Sequence, residues 1–122
     1  MADPGTLIIA NNSPWWITYT VPQGDDWWNC CDAPKPGFSV RVGPHSRSPG
    51  FTFLRTDGHG CNGRQGQFSM NPSIPTIDAA NQQFWFDSHG GLAFQGNNPN
   101  YVSQLQQIAG GAYVWTVTPP GG

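Results

Sequence analysis

Leu7-Ile8-Ile9-Ala10, Asn11-Asn12-Ser13-Pro14, Trp15-Trp16-Ile17-Thr18-Tyr19-Thr20-Val21, Pro22-Gln23-Gly24-Asp25-Asp26: two runs of strand formers stand here, each closed by turn formers. β-Branched and aromatic side chains suit a pleated, half-buried chain, whereas Asn, Pro, Gly and Asp suit turns. The same rhythm continues outward, with strand-like runs at 38–42, 51–55, 68–70, 74–77, 84–86, 101–105 and 112–118. Short strands recurring about every ten residues between turn signals predict a sandwich or a barrel. The one helix-like piece, 77–83, is too short to matter. The expectation is all-β: a single β-sandwich domain of antiparallel strands over residues 1–122, with flexible ends at 1–5 and 119–122.

Composition supports a folded chain. The 122 residues include 16 Gly and 12 Pro, yet 37% are apolar and 13% aromatic, which disordered chains are not. Only 10% are charged, with no Glu and a single lysine, Lys35, so the stock of a helical surface is missing. Net charge is −2, and Arg41, Arg47, Arg55 and Arg64 are spread along the chain. That pattern argues against nucleic acid, which needs several cations on one face, and against holding anionic lipid by charge alone. The N-terminus has no basic, apolar leader pattern, and no apolar run is long enough to span a membrane. A soluble chain synthesised without a visible signal peptide is the expectation.

Two tryptophan doublets carry the functional signal. Successive side chains of a strand point to opposite faces, so Trp15 and Trp16 in one strand cannot both enter one core. Trp27-Trp28 stands in a Gly/Asp/Asn-rich stretch that reads as a loop, where burying both rings is harder still. Trp85 and Trp115 suit core filling. An exposed indole has an apolar body and one N–H donor; it suits a membrane interface and also stacks on sugars.

No catalytic constellation assembles. Asp87-Ser88-His89 contains triad residue types, but contiguity is the wrong geometry for a nucleophile, base and orienting acid. His45 and His59 read as solvated loop histidines. Cys30, Cys31, His59 and Cys61 could supply soft ligands, but adjacent cysteines diverge and zinc pairs are normally spaced further apart. No metal, cofactor or enzymatic activity is expected.

Taken in order, the motifs resemble the aegerolysin family. Residues 6–12 (Thr-Leu-Ile-Ile-Ala-Asn-Asn) are similar to that family's first strand and its Asn turn. Asp26-Trp27-Trp28-Asn29 falls where the family has a Trp-Gly-Lys segment, and Val42-Gly43-Pro44 resembles its Pro-containing turn. Arg55-Thr56-Asp57 with Asn62-Gly63-Arg64-Gln65-Gly66-Gln67-Phe68 is like its Arg-x-Asp…Gly-x-x-Gly-x-Phe run, and Phe84-Trp85-Phe86-Asp87 is like its aromatic triplet. Tyr101-Val102 and Gly110-Gly111-Ala112 follow in order.

The resemblance implies a small β-sandwich that recognises a membrane lipid, often a sphingolipid in a sterol-containing membrane, and forms pores with a larger partner protein. It places lipid contact at Trp27 or Trp28; Trp15, Trp16, Asn62 and Arg64 are the further candidates, through exposed indoles and neighbouring polar loops. Three positions depart from the family pattern. The acidic residue linked to lipid selectivity falls near the neutral Asn62, the Lys after the aromatic triplet has no counterpart in 88–94, and the first-strand Trp is absent around Thr6. Because two of these are head-group handles, the resemblance implies a membrane role more than any one lipid. A lytic barrel from this chain alone would require extensive oligomerisation on the membrane. The alternative reading is a soluble lectin, with Asn97-Asn98-Pro99-Asn100 and Asp25-Asp26 as a polar rim.

Overall fold

The computed structural model describes residues 4–23, 33–54, 66–87, 89–95 and 99–121. Nine strands run through them: β1 (Gly5–Asn11), β2 (Ile17–Thr20), β3 (Ser39–Val42), β4 (Phe51–Phe53), β5 (Gly66–Pro72), β6 (Gln82–Phe86), β7 (Leu92–Phe94), β8 (Val102–Ala109) and β9 (Ala112–Thr118). They form a four-stranded sheet, β4-β1-β9-β8, and a five-stranded sheet, β3-β2-β5-β6-β7. The protein is an all-β sandwich, as the turn rhythm predicts.

One pairing departs from the antiparallel expectation. β1 and β9 run parallel, in register from Thr6 with Ala112 to Asn11 with Val117. No hairpin joins these two strands, so no tight turn imposes an antiparallel direction on them. Local chemistry also moved three boundaries. Trp15 and Trp16 precede β2, because the Ser13 hydroxyl captures the Trp15 N–H at 3.2 Å and holds 13–15 in a bend. Residues 74–77 form a turn rather than a strand: Pro75 has no donor, and the Ile74 N–H bonds back to the Pro72 carbonyl at 2.9 Å. β7, which the rhythm does not show, follows the turn at Gly90 (φ 78°).

Alternation then builds the core. Every second residue of β1 is buried, including Leu7 and Ile9, and β6 buries Gln82, Phe84 and Phe86 in the same way. Trp115 of β9 is wholly buried, edge-on to Tyr19 (5.5 Å) and Phe84 (5.1 Å) from the opposite sheet. Its indole N–H donates to the Ser103 hydroxyl at 2.7 Å, which donates to Gln82 Oε1 at 2.7 Å. That chain of bonds satisfies the polar atoms of a buried ring and ties β8 and β9 to β6 across the core. Burying each such large side chain contributes about 1.5–3 kcal/mol.

Candidate functional site

An open apolar feature lies where the two sheets part along one side of the sandwich. β3 is the outer strand of its sheet and β4 the outer strand of the other. Between them runs a groove of ≈ 570 Å³, lined by Pro34, Pro36, Phe38, Gly50 and Phe51, with Lys35 at its rim. Phe38 and Phe51 meet edge-on at 5.1 Å and form its floor.

The sequence builds this groove locally. In Lys35-Pro36-Gly37-Phe38 the Phe38 N–H bonds to the Lys35 carbonyl at 2.9 Å, and Gly37 has φ 93°. Pro at the second position and a positive-φ Gly at the third are what a type II turn requires. The Gly37 N–H also bonds to the Val21 carbonyl at 2.9 Å, which pins the turn to the end of β2. Opposite, a Cβ on Gly50 would come within 2.5 Å of Thr6 Cγ2, so only glycine fits that wall.

Further along β3 stands an exposed indole. Trp16 is 55% exposed, and the Arg41 guanidinium carbon lies 4.4 Å from its ring centroid. A cation over an exposed indole contributes about 0.5–1 kcal/mol. The ring rests on Gly43, where a Cβ would meet Trp16 Cη2 at 3.2 Å. With about 3.3 Å of rise per residue, Arg41 stands roughly 10 Å along the strand from Phe38. Pairing of Ala10 with Arg47 continues the same side past Pro44.

Asn11 fixes this end of the strand. It is buried, and its amide nitrogen donates to the carbonyls of Trp15 (2.7 Å), Val42 (3.1 Å) and Gly43 (3.0 Å). Two hydrogens serve three acceptors, so one is shared. Its oxygen accepts from the Ser13 hydroxyl at 2.6 Å. One side chain thus joins the end of β1, the tryptophan bend and the end of β3.

The sequence candidates divide as follows. Trp16 lies on this side of the molecule. Trp15 is half-buried beside it, its carbonyl taken by Asn11. Trp27, Trp28, Asn62 and Arg64 lie outside the described residues, as do Cys30, Cys31, His59 and Cys61. Trp85 is half-buried on the outer face of the five-stranded sheet, paired with Gln67 and Ala93, and does not fill the core. The Asp87 carboxylate accepts the backbone N–H groups of His89 and Gly91, both at 2.8 Å, so it closes a turn. Among the described residues no three metal-ligating side chains converge, and no helix is long and apolar enough to cross a membrane.

Sequence reading missed how the described Lys and Arg residues are placed: Lys35 in the turn before β3, Arg41 on β3, and Arg47 beyond it, bridged to Ala10 of β1. Spacing made them look scattered, while folding sets them along one side. The Pro-Gly turn was a usable signal for the groove. Asn11 as a junction had none beyond its place in an Asn turn. No protein-family profile, curated protein or solved structure matches this chain.

Proposed function

We propose that this protein binds membrane lipid by docking its β3 side onto the bilayer, in keeping with the aegerolysin resemblance of its sequence. The observation that carries the reading is the apolar groove over Phe38 and Phe51 with a cation at its rim. Its volume falls in the range of about 300–1,000 Å³ that suits small ligands. Lys35 is placed to meet a phosphate or other polar head group while Phe38 and Phe51 take apolar substance. Trp16 suits the interface beside it, and Arg41 can rest its stem on the indole while its charge stays at the head groups. Trp27 and Trp28, which the chain places shortly before the groove-lining Pro34, join the proposal as a second aromatic anchor.

Pore formation is assigned to a larger partner recruited by the bound protein. A membrane-spanning strand needs about 9–11 residues, and the described strands have three to eight.

Co-sedimentation with vesicles tests the reading, using phosphatidylcholine alone, with anionic lipid, and with sphingomyelin and cholesterol. Binding to at least one composition is expected. Trp16→Ala should weaken it roughly tenfold, the effect of about 1.4 kcal/mol of lost apolar burial. Trp27→Ala and Trp28→Ala should also weaken it. Absence of binding to every vesicle, with sugar binding on a glycan array, would replace this reading by the lectin.

A further inference from the structure

Four strands end the two sheets, and three of them are blunted. β4 and β7 have three residues each; β3 has four and carries Arg41. β8 is different. It has eight residues, Val-Ser-Gln-Leu-Gln-Gln-Ile-Ala, with no charge and no proline. Among the described residues its one strand partner is β9, which leaves the backbone N–H and C=O groups of its other side without a ladder there. Proteins normally guard such an edge with charge, proline or shortness, because it is a template for another strand.

The side chains of β8 specify what that strand is. Val102, Gln104 and Gln106 stand on the outer face, opposite Thr118, Thr116 and Val114 of β9. Ile108, at the bulge between Gln107 and Ala109, is also exposed. Val102 and Ile108 are 53% and 49% exposed, two of the three large apolar residues in that state among the described residues. Val102, Gln104 and Gln106 point outward in alternation and Ile108 is exposed at the bulge, an apolar, amide, amide, apolar set symmetric about Leu105. A two-fold axis at Leu105 sets Val102 against Ile108, Gln104 against Gln106 and Ser103 against Gln107 of a second copy. Like meets like throughout. An isologous contact brings each residue near its own kind, so any charge close to the axis would meet the same charge. β8 has none.

We infer that a second copy of this chain pairs antiparallel with β8, joining two four-stranded sheets into one of eight strands. The nearest cation among the described residues on this side of the sheet, Arg47, lies against Ala10 and Thr116, inward of β8 and off its free edge, so no charge stands on the edge that pairs. The bulge after Gln107 ends the ladder at Ile108 by twisting the strand away. The contact closes on itself, and the product is a dimer rather than a fibre. It leaves the β3 side free, at the opposite edge of the sandwich, and does not rest on the lipid reading.

Sedimentation velocity over about a hundredfold concentration range reads the association. The wild type should pass from one-chain to two-chain mass. Gln104 and Gln106 are exposed, so the double variants Q104K/Q106K and Q104E/Q106E should keep the wild-type thermal transition. Each alone should stay at one-chain mass, through like charges set directly across the axis. Mixed, they should recover the two-chain species, because each lysine then faces a glutamate. One-chain mass for the wild type at every concentration would overturn the inference, as would dimerisation of Q104K/Q106K equal to wild type. Growth of the wild type beyond two chains would overturn the closed contact.

Discussion

At the scale of single residues, two buried polar groups behave oppositely. Asn11 serves the carbonyls of Trp15, Val42 and Gly43 and receives Ser13. Asn11→Ala would strand several buried acceptors at once, and each unsatisfied group costs about 1–3 kcal/mol. Urea unfolding should show a loss on the order of 2–4 kcal/mol. Because the same bonds hold the bend that carries Trp16, vesicle binding should fall even where the variant is still folded. Tyr19 is the contrary case: its hydroxyl is buried with no partner among the described residues. Tyr19→Phe should therefore be neutral or stabilising, by on the order of 1 kcal/mol. Burial, with Tyr101 nearby, pushes the Tyr19 hydroxyl far above the ordinary tyrosine range, and burial does the same to Tyr101. Both stay protonated in the fold while the unfolded chain ionises near pH 10. Stability from this source is complete below pH 10 and is lost as pH rises beyond it, at about 1.4 kcal/mol per pH unit for each tyrosine. Unfolding free energies at pH 8, 10.5 and 11.5 should show a shallower alkaline decline in Tyr19→Phe; an unchanged slope would contradict this account.

At the scale of elements, two cross-strand pairs lock one end of the sandwich. Gly5 faces Phe53 across β1 and β4, and Gly66 faces Phe86 across β5 and β6. Each phenyl ring lies over its glycine, and the two rings meet across the core at 5.5 Å. A Cβ on Gly66 would fall 2.3 Å from Phe86 Cζ, so the ring would have to leave its place. Gly66→Ala should cost about 1–3 kcal/mol by overpacking, read as a lowered midpoint in chemical denaturation. Gly110→Ala, which would meet nothing within 4 Å, is the control and should leave the midpoint close to wild type. These pairs also show what the sequence makes legible. Strands dense in β-formers between turn residues, such as β1, β6 and β9, stand out because propensity and alternation agree. β7 does not, because three residues are too few to show a period. The 74–77 stretch misleads because Ile74 is buried as a core residue should be, while proline chemistry denies it a ladder. The site is legible in part: the doublet signals an exposed indole, although the Ser13 bend rather than strand alternation sets Trp16 outside, and the Lys35–Phe38 turn follows from Pro-Gly. The approach of Phe38 to Phe51 joins the two sheets at their open side, and no local pattern records which edge strands end up facing each other.

At the scale of the whole molecule, the chain closes on itself. β9, the last strand, lies between β1 and β8 in the sheet order, and Thr6 pairs with Ala112 more than a hundred residues away. Without β9 there is no four-stranded sheet: β8 loses its partner among the described strands, β1 loses a neighbour, and the core loses Trp115 and Val117. Such non-local pairing carries a large loop-closure cost before any contact rewards it, and domains of this kind fold in milliseconds to seconds. Partial chains therefore have no stable half to rest on. A chain ending at residue 111 should show neither cooperative thermal unfolding nor the dispersed amide spectrum of a fixed core. Trimming only 120–122 takes away the exposed Pro120 and Gly121 beyond the last strand, and should leave the midpoint within a few degrees of the full chain. A cooperative transition in the 1–111 chain would mean that the five-stranded sheet stands alone. The Ser103–Gln82 bond and the packing of Trp115 against Tyr19 and Phe84 argue that it does not, because the inner face of that sheet is complementary to a strand made last.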